Sequence, residues 1–486
     1  MNAPPPPSEQ KPPVALNPVL LWVSGGAFVL FVCFAFGLFI LMTRTEPLAQ
    51  QLVREARHFA DDDWPRPSHF DPPVPGRFAQ AIAPLLEELS WLPEVALSEL
   101  TCPRSDPYID IDDAESIDFE GDYEAEMEAF NDANEALVEQ CRLVSRGEAP
   151  LETVPFECIE VLRQHRELLH RVLATTRVEM GGLPEHLGSL SRPDESEWQG
   201  GINLLARVAE LAALETRVLL AEGRPEEAVD TCVDGLALSR ELSLGAGMYG
   251  LRLSARSHDT LFLPCAAALE AAPLERQREA QHQLTRLSQG YPPLSTVLRE
   301  ESVYQQLSTY GDLLSPPAID ALPPGGQALL EEQGSYYYEP GEHPRLRPYA
   351  WRRNAAMFDA MVAVADLPAE QRRKAFSSID VGRDLVLEEE AWHTADYSLE
   401  ADALEPQRYQ ALALAAIVEV EIARARLGTW PQALSSQVEK SFLLSADTDF
   451  EAWLVPADGV LGVPELRLAA PVPPSPRPRY AGGGLR

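Results

Sequence analysis

Residues 204–242 read LLARVAELAALETRVLLAEGRPEEAVDTCVDGLALSREL, and this stretch decides the fold. Apolar residues recur every three or four positions from Leu204 to Leu220, the spacing of one face of a helix. Glu222-Gly223-Arg224-Pro225 then interrupts the pattern, and a proline just inside a new helix after a glycine is a start signal. A second helix follows from Glu226. The unit is two helices and a tight turn, so the chain is expected to be built from packed helical hairpins.

Working outward, the same periodicity predicts helices over 46–60, 78–92, 155–176, 202–271, 274–287, 294–314, 350–365, 371–403 and 408–428. Gly428 is a stop signal for the last of them. DDDWPRPSHFDPPVPGR (61–77) carries too many prolines for a helix and reads as a linker or strap. SPPAIDALPPGG (315–326) reads as a break and a domain boundary. FEAWLVPADGVLGVPELRLAA (450–470) suggests two short strands around a turn. The expected class is mostly α: an irregular, solenoid-like array of helical hairpins with a small C-terminal β element, preceded by one transmembrane helix. The expected divisions are a disordered Pro-rich tail (1–17), the membrane helix (18–43), a juxtamembrane helix and linker (44–77), a helical unit with an acidic segment (78–314), a second helical unit (327–440), the β element (441–470) and a disordered tail (471–486).

The membrane helix rests on PVLLWVSGGAFVLFVCFAFGLFILMT (18–43), which contains no charge. About 20 apolar residues cross a bilayer. A cleaved signal peptide would have a shorter apolar core and a small-x-small cleavage site, so the segment is read as a retained single-pass anchor. Arg44, Arg54 and Arg57 after it, against Lys11 before it, would place the bulk in the cytoplasm. The counts are small, however, and long domains translocate largely regardless of charge. A short tail followed by an anchor favours the other side, so the soluble region is expected in the periplasm, outside a bacterial inner membrane.

The formal net charge is −35, which opposes nucleic-acid binding, because that affinity comes from neutralising phosphates. Fourteen acidic residues and no basic one lie between Arg104 and Arg142. A calcium loop counted from Asp110 fails, since Ala114 and Glu115 occupy a ligand position and the glycine position. The segment reads as a solvated acidic face. No C-x-x-C occurs among Cys33, Cys102, Cys141, Cys158, Cys232 and Cys265, so no zinc ribbon is present. Cys158, Cys232 and Cys265 read as small buried hydrophobes, and a Cys102–Cys141 disulfide is open if the compartment is oxidising.

HRELLH (165–170) is one residue too long for a zinc-hydrolase helix. At 100° per residue His165 falls on the apolar stripe, while His170 and Glu167 fall well away from it. Two imidazoles meet one ion at i, i+4 spacing, not at i, i+5. Glu-x-x-His pairs at 55/58, 167/170, 279/282 and 390/393 suggest a di-iron bundle, yet those at 167/170, 279/282 and 390/393 point away from their stripes. GAGMYG (245–250) matches G-x-G-x-x-G but follows a helix rather than a strand, so it reads as a glycine-lined turn. Titratable side chains are thus expected on outer flanks with nothing converging: no catalytic residue, cofactor or metal ligand is assigned.

The 204–242 hairpin resembles one tetratricopeptide helix pair. Gly223 matches the inter-helix turn, Ala228 and Gly235 the small positions of the second helix, and Leu236 its apolar partner. Thr216 stands where a small residue is usual, no tryptophan or tyrosine occurs at the expected places, and no 34-residue repetition follows. The resemblance implies helix-hairpin packing and a groove for a protein partner. GTWPQAL (428–434) is similar to a junction found in pseudopilins and bacterial envelope proteins and implies an envelope setting. HPRLRPYAWRR (343–353) concentrates Arg345, Arg347, Arg352 and Arg353 with Tyr349 and Trp351. Arginine with aromatics is typical of interface anchors, so these six are the candidate partner-binding residues. The alternative for the patch is pairing with the chain's own acidic segment. The expected function is a membrane-anchored scaffold binding protein partners in an envelope assembly; the competing expectation is an envelope hydrolase or glycan-acting enzyme.

Overall fold

The computed structural model describes residues 45–60, 64–90, 136–191, 195–333, 347–367, 369–379, 406–428, 451–455, 465–469 and 480–481. These form a mostly helical protein. Helices α1 (Glu46–Ala60), α2 (Phe78–Ser90), α3 (136–145) and α4 (Phe156–Ala174) precede the central group α5 (Glu195–Ala221), α6 (Pro225–Leu242) and α7 (Gly247–Ala271). Then come α8 (Leu274–Gln289), α9 (Leu294–Tyr310), α10 (Pro316–Ile319), α11 (Pro324–Gln333), α12 (Arg347–Ala365), α13 (Ala369–Ser378) and α14 (Pro406–Leu427). Among the described residues no helix is long and apolar enough to cross a membrane; the apolar stretch 18–43 lies outside them, as do the acidic segment as far as residue 135 and the part of the 371–403 helix beyond 379.

The hairpin that anchors the sequence reading forms as expected. Gly223 takes φ +75° at the turn, a backbone setting that residues with a Cβ rarely adopt. The α6 residues facing its neighbours are apolar on every side: Val229, Cys232, Val233, Leu236, Ala237, Leu238 and Leu242 are all buried. A helix of that kind belongs in the middle of a bundle. It packs against α5, α7 and α8, while α14 closes over α7 and α8. At Gly235 the approach is close: a Cβ there would lie 3.1 Å from Leu261 and 3.2 Å from the Ala212 methyl.

GAGMYG is the turn between α6 and α7, with Gly245 and Gly247 at positive φ. A Cβ on Gly250 would drive into the carbonyl oxygen of Leu242. Backbone cannot rotate aside as a side chain does. Gly250→Ala is therefore expected to cost about 2 kcal/mol, read as a lower urea midpoint with an unchanged slope.

Of the two readings of 61–77, linker or strap, the described residues take the second. Trp64–Pro65 (β1) and Val74–Arg77 (β2) flank Val178–Gly181 (β3), antiparallel on one side and parallel on the other. Residues 64–77 are thus a strap laid across the helices. The strand that receives it, Val178–Gly181, follows α4 in a stretch that carries no strand signal in the sequence. Near the C-terminus β4 (Glu451–Val455), β5 (Glu465–Ala469) and β6 (Tyr480–Ala481) form an antiparallel sheet; its third strand falls in the tail expected to be disordered.

A second core joins α1 to α9, α11 and α12. Ala49, Leu52, Val53 and Ala56 pack with Val303, Tyr304, Leu307, Tyr310, Leu329 and Trp351. Residues on both sides of the 315–326 break therefore share one core.

The cysteines also correct the reading. Cys232 and Cys265, both fully buried, pair across α6 and α7 with Cα atoms 5.4 Å apart. Cys141 pairs with Cys158 rather than Cys102, joining α3 to α4 at 6.2 Å. Both separations suit a disulfide; Cys102 lies outside the described residues.

Candidate functional site

The strap is what brings charge inside. Its prolines exclude a helix, and the chain bends at residues 69–72 between its two short strands. Arg66 and His69 point inward and are buried. The Arg66 guanidinium donates from Nη1 to Val178 O at 2.7 Å and from Nη2 to Thr176 O at 3.2 Å. Its Nε lies 2.8 Å from Glu241 Oε1. The same carboxylate oxygen accepts from Arg240 Nη2 at 2.8 Å, and Oε2 accepts from the backbone N–H of Gly182 at 3.2 Å. Arg240 donates in turn to the strap, to Pro67 O at 3.1 Å. Both Arg240 and Glu241 are 0 % exposed.

Beside this pair stands a second one. His69 Nε2 lies 2.8 Å from Asp234 Oδ1, and Arg177 Nη2 donates to Asp234 Oδ2 at 2.6 Å. The Arg177 guanidinium also covers the Phe70 ring at 4.6 Å. The site thus holds three guanidiniums, Arg66 and Arg240 buried and Arg177 half-buried, against two carboxylates. Burial, more than that excess, governs the neighbouring titrations. Burial pulls Arg66 down to about 10, against the attraction of Glu241. Burial, with Arg240 nearby, holds His258 down at about 3. His258 is hydrogen-bonded to the Tyr291 hydroxyl, and burial pushes that phenol up. His69 is lowered by burial as well, although Asp234 opposes the shift. Both histidines are neutral at pH 7.

A histidine held by a carboxylate is a general-base arrangement. Here the imidazole is completely covered: its side chain is 0 % exposed, and its Nδ1 is buried without a hydrogen bond among the described residues. The hydrogen bonds that Arg66, Arg177 and Arg240 make among the described residues go to the chain's own carboxylates and carbonyls. What the arrangement does is fasten the strap to α6 and the loop after α4.

The expectation that nothing charged converges is therefore overturned. Asp234, Arg240 and Glu241 sit on α6 within an apolar run, and the signal was present. When all faces of a helix are apolar, its charged residues have no wet flank to occupy.

The other motifs fall as follows. On α4, Leu162, Leu169, Val172 and Leu173 are buried; His165 is half-buried rather than fully so, and His170 is exposed. His170 and Arg166 both turn to Glu215 of α5, at 3.3 and 2.6 Å. Glu279 and His282 are both exposed, His58 is exposed beside half-buried Glu55, and 390/393 lies outside the described residues. Among the described residues no group of three or more His, Cys, Asp or Glu could hold a metal ion. At the glycine turn, Glu300 Oε2 accepts from Gly247 N at 3.0 Å and Glu301 Oε2 from Met248 N at 3.2 Å. The first turn of α7, where a pyrophosphate would dock, is capped by the protein's own carboxylates.

The arginine–aromatic patch divides. Trp351 is fully buried, stacked on Tyr310 at 6.1 Å, and its Nε1 donates to Gln306 Oε1 at 2.8 Å. It anchors the chain's own core. Arg347 is held by Asp312 at 2.8 Å and by Thr309 O. Tyr349, Arg352 and Arg353 are half-buried, with the Arg353 guanidinium 5.9 Å from the Tyr349 ring. Arg345 lies outside the described residues. Comparisons of the chain with protein families, curated proteins and solved structures return no match.

Proposed function

We propose that the chain is a single-pass membrane protein whose helical region acts as a scaffold for protein partners in a bacterial envelope assembly, on the oxidising side of the membrane. The observation that carries this reading is the pair of disulfides, Cys141–Cys158 and Cys232–Cys265. Such bonds persist outside the reducing cytosol. They favour the periplasmic side over the cytoplasmic one that the arginine count alone suggests, and residues 18–43 supply the anchor. The scaffold role draws on what the charged groups do: the buried ones fasten elements to one another, and the helices between them present stable outer faces. Partner binding is assigned to those outer faces and not to α6, which is buried from Thr231 to Leu242.

Two measurements test this. An alkaline phosphatase fused at the C-terminus is expected to be active. The denatured, unreduced full chain is expected to take up at most two maleimide labels, and six after reduction. Six labels without reduction would remove the compartment argument. Turnover of a glycan or ester by the purified chain would replace the scaffold with an enzyme.

A further inference from the structure

The way α1 meets the rest of the protein fixes where the membrane lies. Its apolar stripe, Ala49, Leu52, Val53 and Ala56, is buried against α9 and its neighbours, so α1 is part of the folded unit and not a free tether. Its direction follows from three contacts. Phe59 and Ala60 line a shallow cleft together with Gly188, Ser189 and Gly245. Ser189 donates to Glu300 Oε1 at 2.9 Å, and Glu300 lies in the first half of α9. Helix α1 therefore ends near Glu300. Fifteen residues at 1.5 Å each make about 22 Å, and running that length beside Val303, Tyr304, Leu307 and Tyr310 carries its beginning to the far end of α9.

That far end is also where α12 begins. Arg347 bonds Thr309 O and Asp312, and Tyr310 stacks on Trp351. With Trp351 turned inward, a step of 100° per residue sets Tyr349 and Arg353 on the opposite side of α12, with Arg352 between. The apolar segment ends at Thr43 and α1 starts at Glu46. Three residues reach at most about 10 Å.

We propose that this end of the protein rests on the bilayer surface, and that Tyr349, Arg352 and Arg353 contact phosphate-bearing lipid headgroups. The inference rests on the reading of 18–43 as a membrane anchor, and it gives the patch a lipid occupant in place of a protein one. The chemistry is suited to it. Guanidiniums match phosphate oxygens, basic residues beside a membrane segment are drawn to anionic lipid, and tyrosine is enriched at the headgroup level. In a protein of net charge −35, much of the remaining surface would be repelled by anionic lipid.

The test uses the full chain reconstituted into vesicles of phosphatidylcholine and phosphatidylglycerol with radiolabelled lipid. A photo-crosslinking phenylalanine analogue replaces Tyr349 in one sample and exposed Glu279, on α8, in another. Lipid labelling at 349 is expected to exceed that at 279 at least fivefold. Arg352→Glu with Arg353→Glu, in the chain carrying the analogue at 349, is expected to cut it at least threefold. Equal labelling at both positions, in a chain that alkaline carbonate does not extract, would overturn the inference and leave the anchor standing. Extraction by carbonate would overturn the anchor and the inference with it. Crosslinking of 349 to a second copy instead of lipid would also overturn it.

Discussion

Glu241→Gln is expected to destabilise the chain by roughly 3–5 kcal/mol, the cost of leaving a buried charge uncompensated. Among the described residues Glu241 is the carboxylate paired with both Arg66 and Arg240, and all three side chains are at most 2 % exposed. Glutamine keeps the shape and one acceptor, so the loss measures charge and not volume. A urea midpoint followed by far-ultraviolet circular dichroism reads it. Two comparisons isolate the cause. Asp230→Asn removes the Arg276 partner at a site 51 % exposed and is expected to change stability by no more than about 1 kcal/mol. Replacing Arg66, Arg240 and Glu241 together by apolar residues of similar volume is expected to cost less than Glu241→Gln alone, because no charge is then stranded. A single substitution that behaves like Asp230→Asn would mean that water reaches the cluster and that the strap is not fastened by it.

What was legible in the sequence is what local forces decide. The α5–α6 hairpin, its turn at Gly223 and the stop at Gly428 follow from periodicity and from backbone freedom at single residues, and each is where the sequence puts it. Where the strap lies was not legible. Its prolines exclude a helix, but the strand it joins lies more than 100 residues further on, and nothing in 61–77 names that partner. Cysteine pairing fails for the same reason: Cys232 and Cys265 were correctly placed in the interior, yet spacing along the chain says nothing of which thiols meet. The buried cluster was missed through one assumption, that each helix has a wet side. For α4 the assumption holds and His170 is outside; for α6 it fails, because α5, α7 and α8 surround the helix. Trp351 was misplaced by composition. Arginines with aromatics describe an exposed anchor and an internal one equally well, and only the Gln306 and Tyr310 contacts decide between them.

The same cluster sets a pH window for folding. His258 is held at about 3 by burial and by Arg240, and His69 is lowered as well, whereas both titrate near 6.5 in an unfolded chain. Between those values the unfolded state binds more protons, so stability rises with pH there and is complete only above about 6.5. As pH falls from 6.5 toward 5 the folded state is expected to lose roughly 1.4 kcal/mol per pH unit for each histidine that stays neutral. This interval isolates them. The lowered carboxylates Glu88, Glu222 and Glu227 contribute stability that is lost only as pH falls below about 4.5. Relief of the repulsion within a chain of net charge −35 acts the opposite way, favouring the folded state as acid is added. A loss of stability from pH 7 to 5 therefore has to come from groups that resist protonation inside. His258→Gln retains a partner for Tyr291 and removes one titrating group, so it is expected to flatten the slope by about one proton. Tyr291 provides the matching upper edge: burial raises its phenol, so its contribution is present below about 10 and is lost above it. Tyr291→Phe should remove the alkaline limb and spare the acid one. A slope between pH 7 and 5 that His258→Gln leaves unchanged would show that this imidazole is protonated in the folded protein, and that the positive excess around Arg240 is relieved by water rather than by keeping its neighbours neutral.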